Sequence, residues 1–178
     1  MALQGAKPAR QFITLLLAMF SMRSNLALQH LPRVAVAGLM LLLLFLATLA
    51  PYEATHANTT YYALFRGVCH QKAHRCFELF GFPMAICARC TSIYFGIAIG
   101  ALFLPMLNSE NRRRYLILLG VSAGLVGIDV GCGFLHLYHN VFATRVVTGF
   151  LLGLPLGAMS TKAVQDLLKK KFKSSTAI

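Results

Sequence analysis

Charge is scarce in this chain. Acidic and basic residues together make up 12% of the 178 residues, whereas 57% are hydrophobic and the mean hydropathy is +0.66. That balance excludes an ordinary soluble domain, in which about a quarter of residues are charged, and it makes lipid the expected solvent. Acidic residues are rarest: 5 Asp and Glu stand against 17 Lys and Arg, a net charge of +12. A nucleic-acid partner would want basic residues interleaved with exposed aromatics on a soluble face. None is visible, so no nucleic-acid partner is expected. Also missing are an HExxH-type helix and a second C-x-x-C, so neither a zincin-like protease nor a complete zinc ribbon is indicated.

What is present are long apolar runs. At about 20 apolar residues per helical span, the chain has room for roughly four spans and no separate soluble domain. Hydropathy places them at Val34 to Ala50, closed by Pro51, then at about Met84 to Leu107, Tyr115 to Tyr138 and Val141 to Ser160. Each run is continuous rather than alternating, so the expected fold class is all-α, an integral membrane bundle of four transmembrane helices. Phe12 to Phe20 is apolar but too short to span. Flanked by Lys7, Arg10 and Arg23, it reads as a short interfacial N-terminal helix, or as a segment upstream of an alternative start at Met19 or Met22. The domain organisation is then an N-terminal segment 1–33, a transmembrane domain 34–160 with a loop at 52–82, and a basic tail 161–178. A cleaved signal peptide ending near Ala54-Thr55-His56-Ala57 is the rival reading of the first span. Its apolar run is longer than an ordinary h-region and begins late.

The basic residues set an orientation. Lys7, Arg10, Arg23 and Arg33 precede span one, Arg112, Arg113 and Arg114 lie between spans two and three, and Lys162, Lys169, Lys170, Lys171 and Lys173 follow span four. With four spans these share one side, and the positive-inside rule puts both termini in the cytoplasm of a multi-pass inner (cytoplasmic) membrane protein. The lipid bilayer is the expected partner. The loop 52–82, the start of span two and the ends of spans three and four then meet at one outer pocket, on the oxidising side in bacteria.

That pocket collects the reactive side chains. Cys87-x-x-Cys90 on a helical turn would put both sulfurs on one face, and Arg89 and the helix N-terminus would favour thiolates. Cys69 and His70 complete a Cys3His set suited to tetrahedral zinc or another soft transition metal such as copper. His74 and Cys76 are spare candidates. The plain alternative makes Cys87 and Cys90 small core residues and Cys69 and Cys76 a surface disulfide. Asp129, Cys132 and His136 share a face of span three, and a carboxylate in a span requires a partner, for which Arg145 is the expected counter-charge. His136 and His139, beside Tyr138, read either as interfacial anchors or as further ligands. Small residues recur every four positions at Ser92, Gly96 and Gly100, at Gly120 and Gly124, at Gly127 and Gly131, and at Gly149, Gly153 and Gly157. Such stripes permit a compact bundle, and the same faces could support a homo-oligomer.

Taken together, Cys69-His70-Gln71, Arg75, Cys87-Ala88-Arg89-Cys90-Thr91, Tyr94, Gly96, Asp129 and Arg145-x-x-Thr148-Gly149 resemble a family of small polytopic bacterial and archaeal membrane proteins catalogued as a domain of unknown function. The resemblance covers about Phe65 to Gly157. It implies a common site of Cys69, His70, Cys87, Arg89, Cys90, Asp129 and Arg145, and it brings no activity. The family pattern has glycine where this chain has Ser92, and it does not include Cys76.

Three functional classes follow. In the first, Cys69, His70, Cys87 and Cys90 bind a metal, with Arg89, Asp129 and Arg145 in support; an open fourth position would add a Lewis acid for hydrolysis near the membrane. In the second, Cys87 and Cys90 exchange with Cys69 and Cys76 and pass electrons to a quinone, a layout similar to quinone-linked thiol oxidases and vitamin-K-epoxide-reductase-like enzymes, with His70 or His74 as the activating base. In the third, the cysteines only staple the loop to span two of a non-enzymatic subunit.

Overall fold

The computed structural model describes the backbone of residues 6–107, 112–135 and 141–175, and the side chains within 30–103, 113–135 and 141–171. The elements in chain order are α1 (Ala6–Ala54), α2 (Thr60–Phe65), a 3-10 turn (Ala73–Arg75), β1 (Cys76–Leu79), β2 (Phe82–Cys87), α3 (Ala88–Leu107), α4 (Arg112–Phe134) and α5 (Phe142–Ser175). The fold is mostly helical, and three of its helices carry segments long and apolar enough to cross a membrane: His30–Ala54, Arg113–Phe134 and Phe142–Lys171. The apolar part of α3, Ala88–Phe103, is shorter.

Several boundaries differ from the hydropathy reading. The N-terminal segment and span one form a single helix, so no separate interfacial helix precedes the first span, and the helix runs through Pro51 to Ala54. Pro51 therefore does not end α1. The basic stretch after Ser160 likewise continues α5 to Ser175 rather than forming a separate tail. The fold is also not purely helical. Met84 to Cys87, expected as the start of span two, belongs to β2 of an antiparallel hairpin. A short apolar run reads the same as strand or helix, and here the hairpin turn decides. Leu79 pairs with Phe82 across a two-residue connection, Phe80 (φ 55°) and Gly81 (φ 78°). Positive φ at both central residues is the geometry of a type I′ turn, whose twist matches that of the strands.

The hairpin is held by the end of α1. Met84, Ala85 and Ile86 of β2 pack with Ala47 and Ala50 of α1 and with Phe65 and Cys69 at the end of α2. The hydroxyl of Tyr62 donates to the carbonyl of Pro83, tying α2 to the hairpin. The long helices pack in the order α1, α3, α5, α4, with α3 and α5 sharing the most extensive interface. Glycine makes that interface possible. A Cβ added at Gly96 of α3 would lie 2.6 Å from the carbonyl oxygen of Phe150, and one at Gly153 of α5 would lie 2.9 Å from the Cα of Gly96. The expected small-residue packing of spans two and four is therefore present between α3 and α5. On α4 the outcome differs: Gly120, Gly124, Gly127 and Gly131 have nothing within 4 Å of an added Cβ, so that stripe packs against no helix among the described residues. At one end of α4, the Lys162 ammonium lies 4.4 Å above the ring of Tyr115. At the other, an ion pair joins Asp129 to α3.

Candidate metal centre

Three short segments bring the cysteines together. After α2, the amides of Val68 and Cys69 both donate to the carbonyl of Phe65, at 3.1 and 3.0 Å, and this tight turn presents Cys69 to the hairpin. The chain then leaves through Gln71 in the left-handed region (φ 50°). The Gln71 amide nitrogen donates to the carbonyl of Tyr62 at 2.7 Å, closing the loop around Cys69. Cys87 is the last residue of β2 and Cys90 lies in the first turn of α3. The strand-to-helix junction turns both of their sulfurs toward Cys69, and the Cys87 amide donates to the Cys69 sulfur at 3.2 Å.

The Sγ atoms of Cys69, Cys87 and Cys90 all lie within 4.8 Å of one another. Zinc with Zn–S bonds of about 2.3 Å holds its sulfurs about 3.8 Å apart, so small side-chain rotations close the set. Cys69 is buried, and Cys87 and Cys90 are half-buried. Hydrogen bonding from the Cys90 thiol, with smaller contributions from Cys69 and the Cys90 and Arg89 backbone, outweighs burial and lowers the Cys87 pKa from 9.0 to about 5. Cys87 is thus the thiolate of the group, the form that attacks disulfides or binds metal.

Cys76 stands apart. It pairs with Cys87 across the hairpin, and its thiol donates to the Lys72 carbonyl at 3.3 Å. Burial, then the negative charge of Cys87 and Cys69, pushes its pKa up to about 11, so it remains a thiol. His70 is exposed and is not in the three-sulfur group among the described residues. His74 accepts a hydrogen bond from Arg75 Nε at 3.1 Å. His136 and His139 lie outside the described residues.

The charged residues expected around the site are arranged differently from the sequence reading. Asp129 is buried on α4 and forms an ion pair with Arg89 of α3, a partner the sequence reading did not name beside the expected counter-charge Arg145. The spacing from Asp129 to Arg145 in sequence is short, whereas Arg89 comes from α3, 40 residues upstream. Arg145 is close enough to feel Asp129, Arg89 and Arg75 electrostatically. Ser92 is buried, and its hydroxyl donates to the Arg89 carbonyl at 2.9 Å. Tyr62 and the left-handed Gln71 were not singled out as site residues. For Gln71 the signal was its place directly after Cys69-His70.

A helical membrane protein with a cysteine cluster at the junction of a hairpin and a helix is the class that fold and site define. The chain belongs to the family described as "Predicted membrane protein (DUF2085)", whose model matches residues 69–159. It is similar to the uncharacterized protein MJ1492 of Methanocaldococcus jannaschii, with 29% identity over 139 residues, 70% of this chain and 87% of that protein. It is also similar to an uncharacterized protein of Methanothermobacter thermautotrophicus, with 30% identity over 107 residues, 58% of this chain and 93% of that protein. No solved structure matches.

Proposed function

We propose that this protein binds a soft transition metal, zinc first, through Cys69, Cys87 and Cys90. The observation that carries this reading is the convergence of three sulfurs, one from the loop after α2 and two from the junction of β2 and α3, to within 4.8 Å. Thiolates are the preferred ligands of zinc and copper(I), and the low pKa of Cys87 lessens the proton cost of binding. The fourth ligand is His70, swung in from its exposed position beside Cys69, or a water that leaves the ion open to substrate. Arg89, Asp129 and Arg145 support the site by fixing the start of α3 against α4 and α5.

In this reading α3 is a fourth span. Its 20 residues come to about 30 Å, the thickness of the hydrocarbon core. Both termini are then cytoplasmic, and the cysteine site faces outward across the inner membrane. Cobalt substitution tests the site: three thiolates give a sulfur-to-cobalt charge-transfer band that Cys69→Ser and Cys87→Ser each weaken. A chain that takes up cobalt without this band does not use its cysteines.

A second reading is favoured by the asymmetry of the thiols. A low-pKa Cys87 hydrogen-bonded to Cys90 is the form of a reactive dithiol, and Cys76 sits directly across the hairpin from it. Exchange among these, with electrons passed to a quinone, makes the protein a membrane thiol oxidoreductase. Reduction of an added quinone, abolished by Cys90→Ser, tests that activity.

A further inference from the structure

Positive charge accumulates beside the cysteines, more than the positioning role of Arg89 and Arg145 in the metal reading requires. Arg89 lies in the first turn of α3 and Arg145 in the first turn of α5, and neither first turn contains an acidic residue. A helix N-terminus carries about half a positive charge of its own, so a cation there is unfavourable unless an anion answers it. These two helix starts are adjacent: the Ser92 hydroxyl bonds the Arg89 carbonyl at 2.9 Å and approaches the Arg145 carbonyl at 3.5 Å. The hairpin adds a third arginine. Phe77 of β1 packs edge-on against Phe142 of α5, with ring centroids 4.7 Å apart. This brings the preceding 3-10 turn, which ends at Arg75, over the start of α5, within electrostatic reach of Arg145.

Among the described residues, Asp129 is the acidic side chain found beside Arg89 and Arg145. It engages Arg89 through Nη2, while Arg89 Nε is buried without a hydrogen-bond partner. A guanidinium with an unmatched inner N–H beside two further arginines suits a phosphate, which accepts several such bonds at once.

Below the arginines an apolar crevice runs between α4 and α5. It is an open groove of about 180 Å³ lined by Leu118, Val121, Ser122 and Leu125 of α4 and by Leu151, Leu154 and Pro155 of α5. Leu125 is about one helical turn from Asp129, and Leu118 is about 16 Å from it along the helix. The crevice therefore begins where the charged cluster ends and follows the bundle axis, as the chain of a lipid does when its headgroup is held at the end of a bundle.

We propose that Arg75, Arg89 and Arg145 bind the phosphate of an anionic phospholipid whose acyl chain lies in the crevice between α4 and α5. The site shares Arg89 and Arg145 with the metal reading but takes no cysteine, so it does not depend on a bound metal.

Native mass spectrometry of the full-length protein in detergent, incubated with equimolar phosphatidylglycerol and phosphatidylcholine, tests this. The wild type retains phosphatidylglycerol at least about tenfold over phosphatidylcholine. Arg75→Gln/Arg145→Gln, which leaves the Arg89–Asp129 pair intact, loses that preference, and Lys169→Gln/Lys170→Gln keeps it. Leu151→Trp fills the crevice without changing charge, and it lowers retention of phosphatidylglycerol to a similar degree. This variant decides the matter if the arginine variant does not elute as a folded species. Cys87→Ser/Cys90→Ser keeps the preference, so loss of the metal reading and loss of this one are separate results. An unchanged preference in the folded arginine variant overturns the proposal, as does unaltered retention in Leu151→Trp. Displacement of the lipid by inorganic phosphate at equal concentration overturns it too, by making a free anion the ligand.

Discussion

Arg89 of α3 is held to Asp129 of α4 by an ion pair in which the carboxylate is buried. The pair sits one residue from Cys90, so the same helix start carries a metal-ligand candidate and the clamp that fixes it.

Removing one partner of such a pair leaves an uncompensated buried charge, which costs about 3–5 kcal/mol. Arg89→Ala is therefore expected to lower the thermal unfolding midpoint in detergent sharply. Asp129→Asn costs less, because the half-buried guanidinium keeps some access to solvent. The double variant Arg89→Gln/Asp129→Asn recovers part of the loss, as a thermal-melt double-mutant cycle will read out. An additive cycle would mean that the two residues do not act as a pair.

Two glycines of the same chemical type should behave differently. A leucine at Gly153 meets the backbone of α3, with an added Cβ only 2.9 Å from the Cα of Gly96 and the amide of Ile97. Overpacking of that kind costs at least about 1–3 kcal/mol. At Gly124 on α4 an added Cβ has nothing within 4 Å among the described residues, and Gly124→Leu changes stability by no more than about 0.5 kcal/mol. Comparison of the two melts checks the α3–α5 interface directly.

The cysteines of the metal-free protein are expected to titrate apart. The Cys87 pKa is lowered to about 5 and that of Cys76 is raised to about 11, from a common 9.0. Alkylation followed by peptide mass mapping should label Cys87 well below neutral pH and leave Cys76 unlabelled up to about pH 10. The signs of the stability effects are opposite. A lowered pKa favours the folded state fully above about pH 9, and that contribution is lost as pH falls toward 5. A raised pKa favours it below about pH 9, and that contribution is lost as pH rises through 11. Equal labelling of both cysteines at pH 6 would contradict this arrangement.

Gln71 acts on the site through Cys69. Its side chain closes the loop onto the Tyr62 carbonyl at 2.7 Å, and no ligand atom of its own is required. Gln71→Ala is expected to weaken zinc affinity by about 10–100-fold, the usual effect of losing an outer partner of a metal ligand, while leaving the helix bundle melt within about 1 kcal/mol of wild type. Competition with a zinc-binding dye measures the affinity.

The sequence carried much of this arrangement but not all of it. The apolar runs of α1, α4 and α5 were legible because a span needs many consecutive apolar residues, and Cys69, Cys87 and Cys90 were legible because thiols are rare and grouped. The hairpin was not. Met84-Ala85-Ile86 is apolar for a strand buried against Ala47 and Ala50 in the same way that it would be for a membrane helix, and only Phe80-Gly81 marked the turn. Arg89 was not foreseen as a partner of Asp129 because closeness in sequence favoured Arg145, whereas the fold brings α3, with Arg89, to the same carboxylate. The glycines of α4 looked like those of α3 and α5, yet an added Cβ at each meets nothing within 4 Å among the described residues. A periodicity gives the face of a helix and not what lies opposite it.

The most direct test of the central claim is metal content by mass spectrometry on detergent-purified protein, prepared without chelator or affinity-resin metal, beside Cys87→Ser/Cys90→Ser. The three-sulfur site predicts close to one equivalent of zinc or copper per chain in the wild type and its loss in the variant. A metal-free wild type whose Cys87 and Cys90 resist alkylation until reduced would contradict it and leave thiol redox chemistry as the function of these cysteines.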